Sequence, residues 1–333
     1  MTIACRPLDA TAFTCPDVSA LFAPFLDEID GTICGPATMT PAELAARLGS
    51  QRLRFPLWND AHSPLREQLA ASGYAPASSR FGPLCDNILG MNWRLPSGRV
   101  VRVGERVVKS TTGYDLFRFL LHSDGRLGEP IDFVVRLRPD SGVSGVFRLK
   151  GPNARVASAA RKLVSSCWLH WFDSIDVLVP VGEQPSELRV SLNCPAEEWS
   201  VYAKELARLA ETDGLEATVD ANSPLAPDGL PDVVFKTTGD RAVELASAAR
   251  DALGGRWIAL VYHGVVHGFI GEEQGSEELR DAWRERLEKF VQNSAGDLQE
   301  IGGDWHSRHF ARSAPAGIEE QWMKILDEEF AVA

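Results

Sequence analysis

The sequence predicts an α+β protein built of two units, and three observations carry that prediction. The chain has 333 residues, longer than one hydrophobic core usually grows before it divides. Residues 87–139 read as strand, strand, helix, strand. From residue 141 a fresh alternation of strands and helices begins, with lengths that suit an open sheet carrying its helices on one face. Hydrophobic residues make up 44% of the chain and charged residues 24%, which is enough apolar matter for a full core in each unit.

The elements follow in order. Residues 18–29 have the apolar spacing of a short helix interrupted by Pro24, and residues 32–34 fit a strand. Thr40-Pro41-Ala42-Glu43 is a capping box with Thr at the cap, Pro at the first helical position and Glu at the third. That helix is expected to reach Leu48 and stop at Gly49. A second helix, 63–71, places Pro64 at its first position. The loop 72–80 offers Gly73, Ser78 and Ser79, either to a ligand or to solvent. Residues 87–95 and 100–108 form a hairpin about the turn Pro96-Ser97-Gly98. A short helix over 116–122 takes Asp115 as its cap, with Gly113 before it and Gly125 and Gly128 after it. Residues 132–137 alternate Phe133, Val135 and Leu137 as a strand. Glycines on both sides of one short helix have two readings. They are turns and caps, or they allow the backbone to approach a flat or anionic ligand.

The second unit reads as strands at 143–149, 175–180, 187–192, 233–236 and 257–262, with helices at 153–167, 196–211 and 241–253. Residues 220–231 are rich in Pro, Asp and Gly and read as an exposed loop; 272–278 read as a solvated acidic one. Helices at 277–292 and 318–330 close the chain.

Composition excludes several function classes. With 34 basic and 46 acidic residues the net charge is −12, which offers no basic surface to nucleic acid. Six cysteines are present, at Cys5, Cys15, Cys34, Cys85, Cys167 and Cys194. None is spaced C-x-x-C, so neither zinc nor iron–sulfur ligation is expected. Scattered free thiols without a basic-then-apolar leader fit a cytoplasmic protein. No apolar run nears the roughly 18 residues of a membrane span. His263 and His267 are the densest histidine pair. In a strand, residues four apart stand about 13 Å from each other, too far to share a metal ion.

The run Phe81-Gly82-Pro83-Leu84-Cys85-Asp86-Asn87-Ile88-Leu89-Gly90 resembles the Y-G-x-x-R-D-x-V-L-G of the FAD-linked oxidase family (PCMH-type FAD-binding). Val108-Lys109-Ser110-Thr111-Thr112-Gly113-Tyr114-Asp115-Leu116 resembles its K-N-x-x-G-Y-D, and Ser123-Asp124-Gly125-Arg126-Leu127-Gly128 its G-S-x-G-x-L-G. A strand ending Arg136-Leu137-Arg138-Pro139 completes the series, whose order and spacing resemble in particular the FAD-binding subunits of bacterial glycolate oxidases. Cys85 stands where that family has Arg, Ser110 where it has Asn, His122 where it has Gly, and Glu129-Pro130 where it has an aliphatic pair.

This resemblance implies a two-domain FAD-linked oxidase fold. An FAD-binding-type domain would span 1–140 and an α+β cap domain 141–271, with C-terminal helices in 272–333 returning to the first domain. The first subdomain would be shortened: no R-G-G-G-T/S loop stands upstream, and the only Gly-Gly pairs are Gly254-Gly255 and Gly302-Gly303. The resemblance implies FAD as cofactor, touched by Gly82, Asp86, Gly90, Thr111, Thr112, Gly113, Tyr114, Asp115, Gly125, Leu127, Gly128 and Ile131. FAD would be held weakly without the amide nest of the missing loop. The implied reaction is oxidation of a small 2-hydroxy acid of the glycolate or D-lactate type, within a glycolate-oxidase-like complex of several subunits. Gly264 to His267 resembles the family's G-x-L-H, which implies that His267 is a base or substrate ligand; in the separate stretch after Gly302-Gly303, Arg308 or Arg312 would bind the carboxylate. The competing reading is a family member without FAD that serves as an assembly or regulatory subunit.

Overall fold

The computed structural model describes residues 25–49, 51–104, 116–121, 127–166, 171–221, 228–270, 277–294, 298 and 300–302. The first unit contains β1 (Phe25–Asp27), β2 (Thr32–Pro36), α1 (Pro41–Leu48), β3 (Leu53–Arg54), α2 (Leu65–Ala71), α3 (Ser78–Phe81), β4 (Ile88–Arg94), β5 (Val100–Gly104), α4 (Leu116–Leu121), β6 (Glu129–Arg136) and β7 (Arg138–Pro139). Five of its strands form an antiparallel sheet in the order β1-β2-β6-β4-β5, and β3 pairs with β7. Its core gathers Ile33, Leu44, Met91 and Phe133.

Local chemistry explains most of these elements. The Glu43 N–H donates to Thr40 Oγ1 at 3.2 Å and the Thr40 N–H donates to Glu43 Oε2 at 2.9 Å, so the capping box closes and α1 starts where the sequence places it. The Pro96-Ser97-Gly98 turn is also as read, with the Leu95 N–H donating to the Arg99 carbonyl at 2.8 Å. Two expectations fail. Phe25–Asp27 is a strand paired with β2, not the end of a helix. The Asp27 carboxylate accepts the Ile29 and Asp30 N–H groups, and this turn folds the segment back onto β2. Pro64 is extended, with ψ 148°, so it caps α2 rather than opening it.

Gly128 has a steric reason to be glycine. Its φ is +114°, and an added Cβ would lie 1.9 Å from the Arg94 carbonyl oxygen. Gly128→Ala therefore has to move β4 or β6 and adopt a strained backbone as well. A loss of about 3 kcal/mol is expected from the two effects together, read as a lowered midpoint in urea unfolding; an unchanged midpoint would refute this account of the contact.

The second unit contains β8 (Val143–Gly151), α5 (Asn153–Val164), β9 (Ser174–Val179), β10 (Ser186–Cys194), α6 (Ala196–Asp213), β11 (Glu216–Ala221), β12 (Val233–Lys236), α7 (Ala242–Leu253), β13 (Arg256–Leu260), β14 (Val265–Phe269), α8 (Glu277–Asn293) and β15 (Glu300–Gly302). Its eight strands form one antiparallel sheet, β11-β8-β10-β9-β13-β14-β12-β15. One face packs under the helices, burying Phe147, Leu149, Ile175, Val177, Leu188, Val190 and Trp257. The fold is thus α+β, with helices on one face of this sheet.

Three placements differ from the sequence reading. Residues 261–264 are a hairpin turn that opens a separate strand, β14, so the two histidines do not share one strand. Gly264 makes that turn possible: its φ is +66° and an added Cβ would lie 2.1 Å from the Thr237 carbonyl oxygen. α8 buries Trp283, Leu287 and Phe290 in the helical layer of the eight-stranded sheet, and β15 is that sheet's edge. α8 and β15 therefore pack with the second unit instead of returning to the first, because the apolar side chains of α8 complete its core. The helix expected at 318–330 lies outside the described residues. Among the described residues no helix is long and apolar enough to cross a membrane.

Candidate functional site: a cavity between the two sheets

The other face of the eight-stranded sheet is polar because its strands alternate. Asp176 stands between Ile175 and Val177, and Arg189 between Leu188 and Val190; the apolar neighbours point to the helices and the charged ones to the opposite side. That side is covered by the first unit. The segment from Ser72 through α3 lies on it. Ser72 Oγ is 2.7 Å from His267 Nε2, His263 Nε2 donates to the Ser78 carbonyl at 2.7 Å, and the Lys236 ammonium is 5.4 Å from the Tyr74 ring centroid. Of the two roles open to this segment, neither free loop nor bare ligand contact describes it, since Ser78 is buried.

Between these layers is a cavity of about 280 Å³. The first unit contributes Arg54, Phe55, Trp58, Asn59, Pro76 and Ala77, and the sheet contributes Ser144, Ser174, Ser191, Ile258 and His267, with Asp173 and Asp228 at its margins. His267 is 2% exposed. Burial drives its pKa down to about 4, with Asp228 pulling weakly the other way, so the ring is neutral at pH 7. Burial also lowers the pKa of His263, partly offset by its bond to Ser78.

Beneath the cavity floor runs a buried charge network. The Arg189 guanidinium is 2.5 Å from Asp176 Oδ1 and donates through both terminal nitrogens to Asp228, at 3.0 and 2.8 Å. Arg256 donates to Asp228 Oδ1 and to the Asp228 carbonyl, each at 2.9 Å. Burial opposes the charge on Arg189, but the two carboxylates outweigh burial and raise its pKa. Burial pushes the Asp176 carboxyl up to about 6 against the pull of Arg189, and its Oδ2 has no hydrogen-bond partner. Residues 220–231 were expected as an exposed loop; at Asp228 the chain is instead tied into the interior by two arginines.

Among the described residues singled out from sequence as site residues, His267 alone lines this cavity. Gly82 closes α3, and Asp86 lies exposed in the bend before β4. Gly90 is buried in β4 opposite Gly104. The Leu127 carbonyl accepts from Trp93 Nε1 at 2.8 Å, Gly128 abuts Arg94, and the Ile131 carbonyl accepts from the Ala37 N–H at 2.9 Å. None of these six belongs to the cavity lining. Thr111, Thr112, Gly113, Tyr114, Asp115, Gly125, Arg308 and Arg312 lie outside the described residues. Sequence reading missed Ser72, Asp173, Asp176, Arg189 and Asp228. A signal was present for two of them, since a charged residue alternating with Val and Leu on a strand of a layered fold faces the next layer.

No family model matches the chain. It is 32% identical over 96 residues to the mitochondrial D-lactate dehydrogenase (cytochrome) of Arabidopsis thaliana, covering 29% of this chain and 17% of that protein. It is 33% identical over 60 residues to the glycolate oxidase subunit GlcD of Bacillus subtilis, covering 18% of this chain and 13% of that subunit. The matched stretches thus span less than a fifth of either relative's length. Its fold is similar to that of an alkyldihydroxyacetonephosphate synthase, with a TM-score of 0.64 at 13% identity over 92% of this chain and 64% of that one. In sequence the chain is thus similar, over these stretches, to FAD-linked oxidoreductases, and in fold to structures of the FAD-linked oxidase type.

Proposed function

We propose that the chain is the flavin-binding unit of an oxidoreductase that oxidises the carbinol carbon of a small 2-hydroxy acid. The first unit supplies the flavin side of the site and the polar face of the eight-stranded sheet the substrate side. The observation that carries this reading is His267, held by Ser72 of the opposite unit on the wall of the cavity between them. The flat apolar surfaces of Trp58, Pro76 and Ile258 beside the hydroxyls of Ser174 and Ser191 suit a planar ring with a hydrogen-bonding edge, so the lining fits the ring end of FAD. Bound FAD supplies the two-electron acceptor for the carbinol hydride. By resemblance, Thr111 to Asp115 and Gly125 to Gly128 would hold the cofactor.

The role of His267 follows from its partner. Ser72 Oγ accepts the Tyr74 N–H at 3.2 Å and has its own hydrogen to donate to His267 Nε2. In that tautomer His267 carries its proton on Nδ1 as a hydrogen-bond donor. A neutral, buried imidazole binds and orients a substrate oxygen better than it stores a proton. Both lactate- and glycolate-oxidising proteins stand among the relatives, which supports a hydroxy acid as substrate.

The cofactor grip is the direct test. This sequence has no Gly-Gly pair ahead of Gly254-Gly255, so amide donors of a pyrophosphate nest are missing from the stretch read. Each such charge-assisted bond contributes about 1.5–3 kcal/mol, and losing two weakens binding by roughly 10²–10⁴-fold. Titration of the purified chain with FAD, followed by flavin fluorescence, should show weak, saturable binding. Stoichiometric flavin carried through purification would disprove the weak grip. No binding at saturating FAD would overturn the oxidoreductase reading itself.

A further inference from the structure

One cluster at the cavity margin has no place in that scheme. Phe81, the last residue of α3, is ringed by three guanidinium groups, with Arg138 at 4.9 Å from the ring centroid, Arg80 at 5.1 Å and Arg54 at 5.7 Å. The aromatic faces favour each cation, but three like charges at this spacing repel one another where water screens them poorly. A single carboxylate answers them. Asp173, which precedes β9 on the other unit, places Oδ2 2.7 Å from Arg54 Nη1, and Oδ1 2.9 Å from Arg54 Nη2 and 2.7 Å from Arg80 Nη1. Its side chain is 7% exposed. Arg138 shares none of this: Nη2 donates to the neutral Asn87 Oδ1 at 2.5 Å, and its buried Nε has no partner. Burial first, then Arg136, Arg80 and Arg54, push the Arg138 guanidinium down to about 10. Among the described residues, three arginines against one aspartate leave two positive charges without a counterion.

We propose that Arg54, Arg80 and Arg138 form a carboxylate-binding subsite of the cavity, and that Asp173 is an internal carboxylate occupying it until an anionic ligand takes its place. The geometry selects a carboxylate over other anions. Asp173 already meets Arg54 in the fork-to-fork arrangement that matches a planar carboxylate. Arg54 and Asp173 both line the cavity, so a ligand there reaches the cluster without passing through protein. The unpartnered Arg138 Nε marks hydrogen-bonding capacity that Asp173 leaves unused. This inference rests on the cavity being the substrate site, and it assigns the residues that would take the substrate's carboxylate.

The test is calorimetric titration of the full chain, purified without added flavin, with oxalate, which has carboxylates and no oxidisable carbinol. Inorganic phosphate and glycerol are the comparison probes. Asp173→Asn removes the competitor and frees two arginines, so oxalate should bind it at least about tenfold more tightly than wild type. Adding Arg138→Gln to that variant should take the gain away, and glycerol should bind neither. Equal oxalate affinity in wild type and Asp173→Asn overturns the proposal, as does tighter binding of phosphate than of oxalate. Should Asp173→Asn not fold, Arg138→Gln alone decides: oxalate should raise the melting temperature of wild type and not that of this variant, and equal shifts in both overturn the proposal. Because no flavin enters these measurements, a chain that binds oxalate but never FAD would sink the oxidoreductase reading and leave the subsite standing.

Discussion

Arg189→Met should cost the chain about 3–5 kcal/mol of stability, because it strips the counterion from buried carboxylates, which must then stay charged and unpaired or take up a proton. Asp176 is fully buried and Arg189 is its only ion-pair partner among the described residues. Asp228 keeps Arg256 but loses the bidentate half of its anchoring. The loss should appear as a lower urea midpoint with an unchanged slope. The double change Arg189→Met with Asp176→Leu should recover most of it, since replacing a whole buried pair by apolar side chains is often neutral or better. A single change that leaves the midpoint where it was would show that the network contributes nothing net.

The second large effect lies in pH. His267 is neutral in the folded chain down to about pH 4, while an unfolded histidine takes up a proton near pH 6.5. Below that pH the unfolded state binds the extra proton, so this group's contribution is present above pH 6.5 and is lost as pH falls towards 4. The difference between these pKa values corresponds to about 3 kcal/mol. Asp176 acts in the opposite sense. Its carboxyl is raised to about 6 in the fold, so its contribution is lost as pH rises from the ordinary carboxylate range to 6. The two largely offset each other in wild type between pH 4 and 6. His267→Gln removes one of them. Relative to wild type, the variant should gain about 3 kcal/mol of stability between pH 7 and pH 4, measured as urea midpoints at both pH values. A constant difference across that range would mean that His267 titrates as an ordinary histidine.

What could be read from the sequence was what neighbours decide. The Thr40 capping box and the Pro96-Ser97-Gly98 turn depend on residues a few positions away, and each formed as expected; the strand carrying Phe133 and Val135 also formed, as Glu129–Arg136, with Leu137 just beyond its end. The likeness to FAD-linked oxidoreductases and the α+β fold were legible from the ordered motifs between Phe81 and Pro139. The site was not, for a physical reason. Ser72 reaches His267 across 195 positions and Arg54 reaches Asp173 across 119, and no periodicity encodes such partners. Val265–Phe269 was hidden because a five-residue strand behind a tight turn looks like the tail of the strand before it. Asp228 sat in a Pro/Asp/Gly-rich stretch whose composition reads as solvent-facing, and only the sheet beneath it supplies the arginines that draw it in.

The separation between Ser72 and His267 also sets the order in which the molecule can be made. β8, β9 and β10 pair with near neighbours along the chain, so they close cheaply and early. The cavity wall cannot close until β14 has been synthesised and laid beside β13. During translation the segment from Ser72 to Phe81 leaves the ribosome long before the surface it will cover exists. Tyr74 likewise emerges well before Lys236, whose ammonium packs on its ring. The chamber therefore comes into being only after residue 267 has emerged, and synthesis interrupted before that point leaves the first unit without the wall that Ser72 meets.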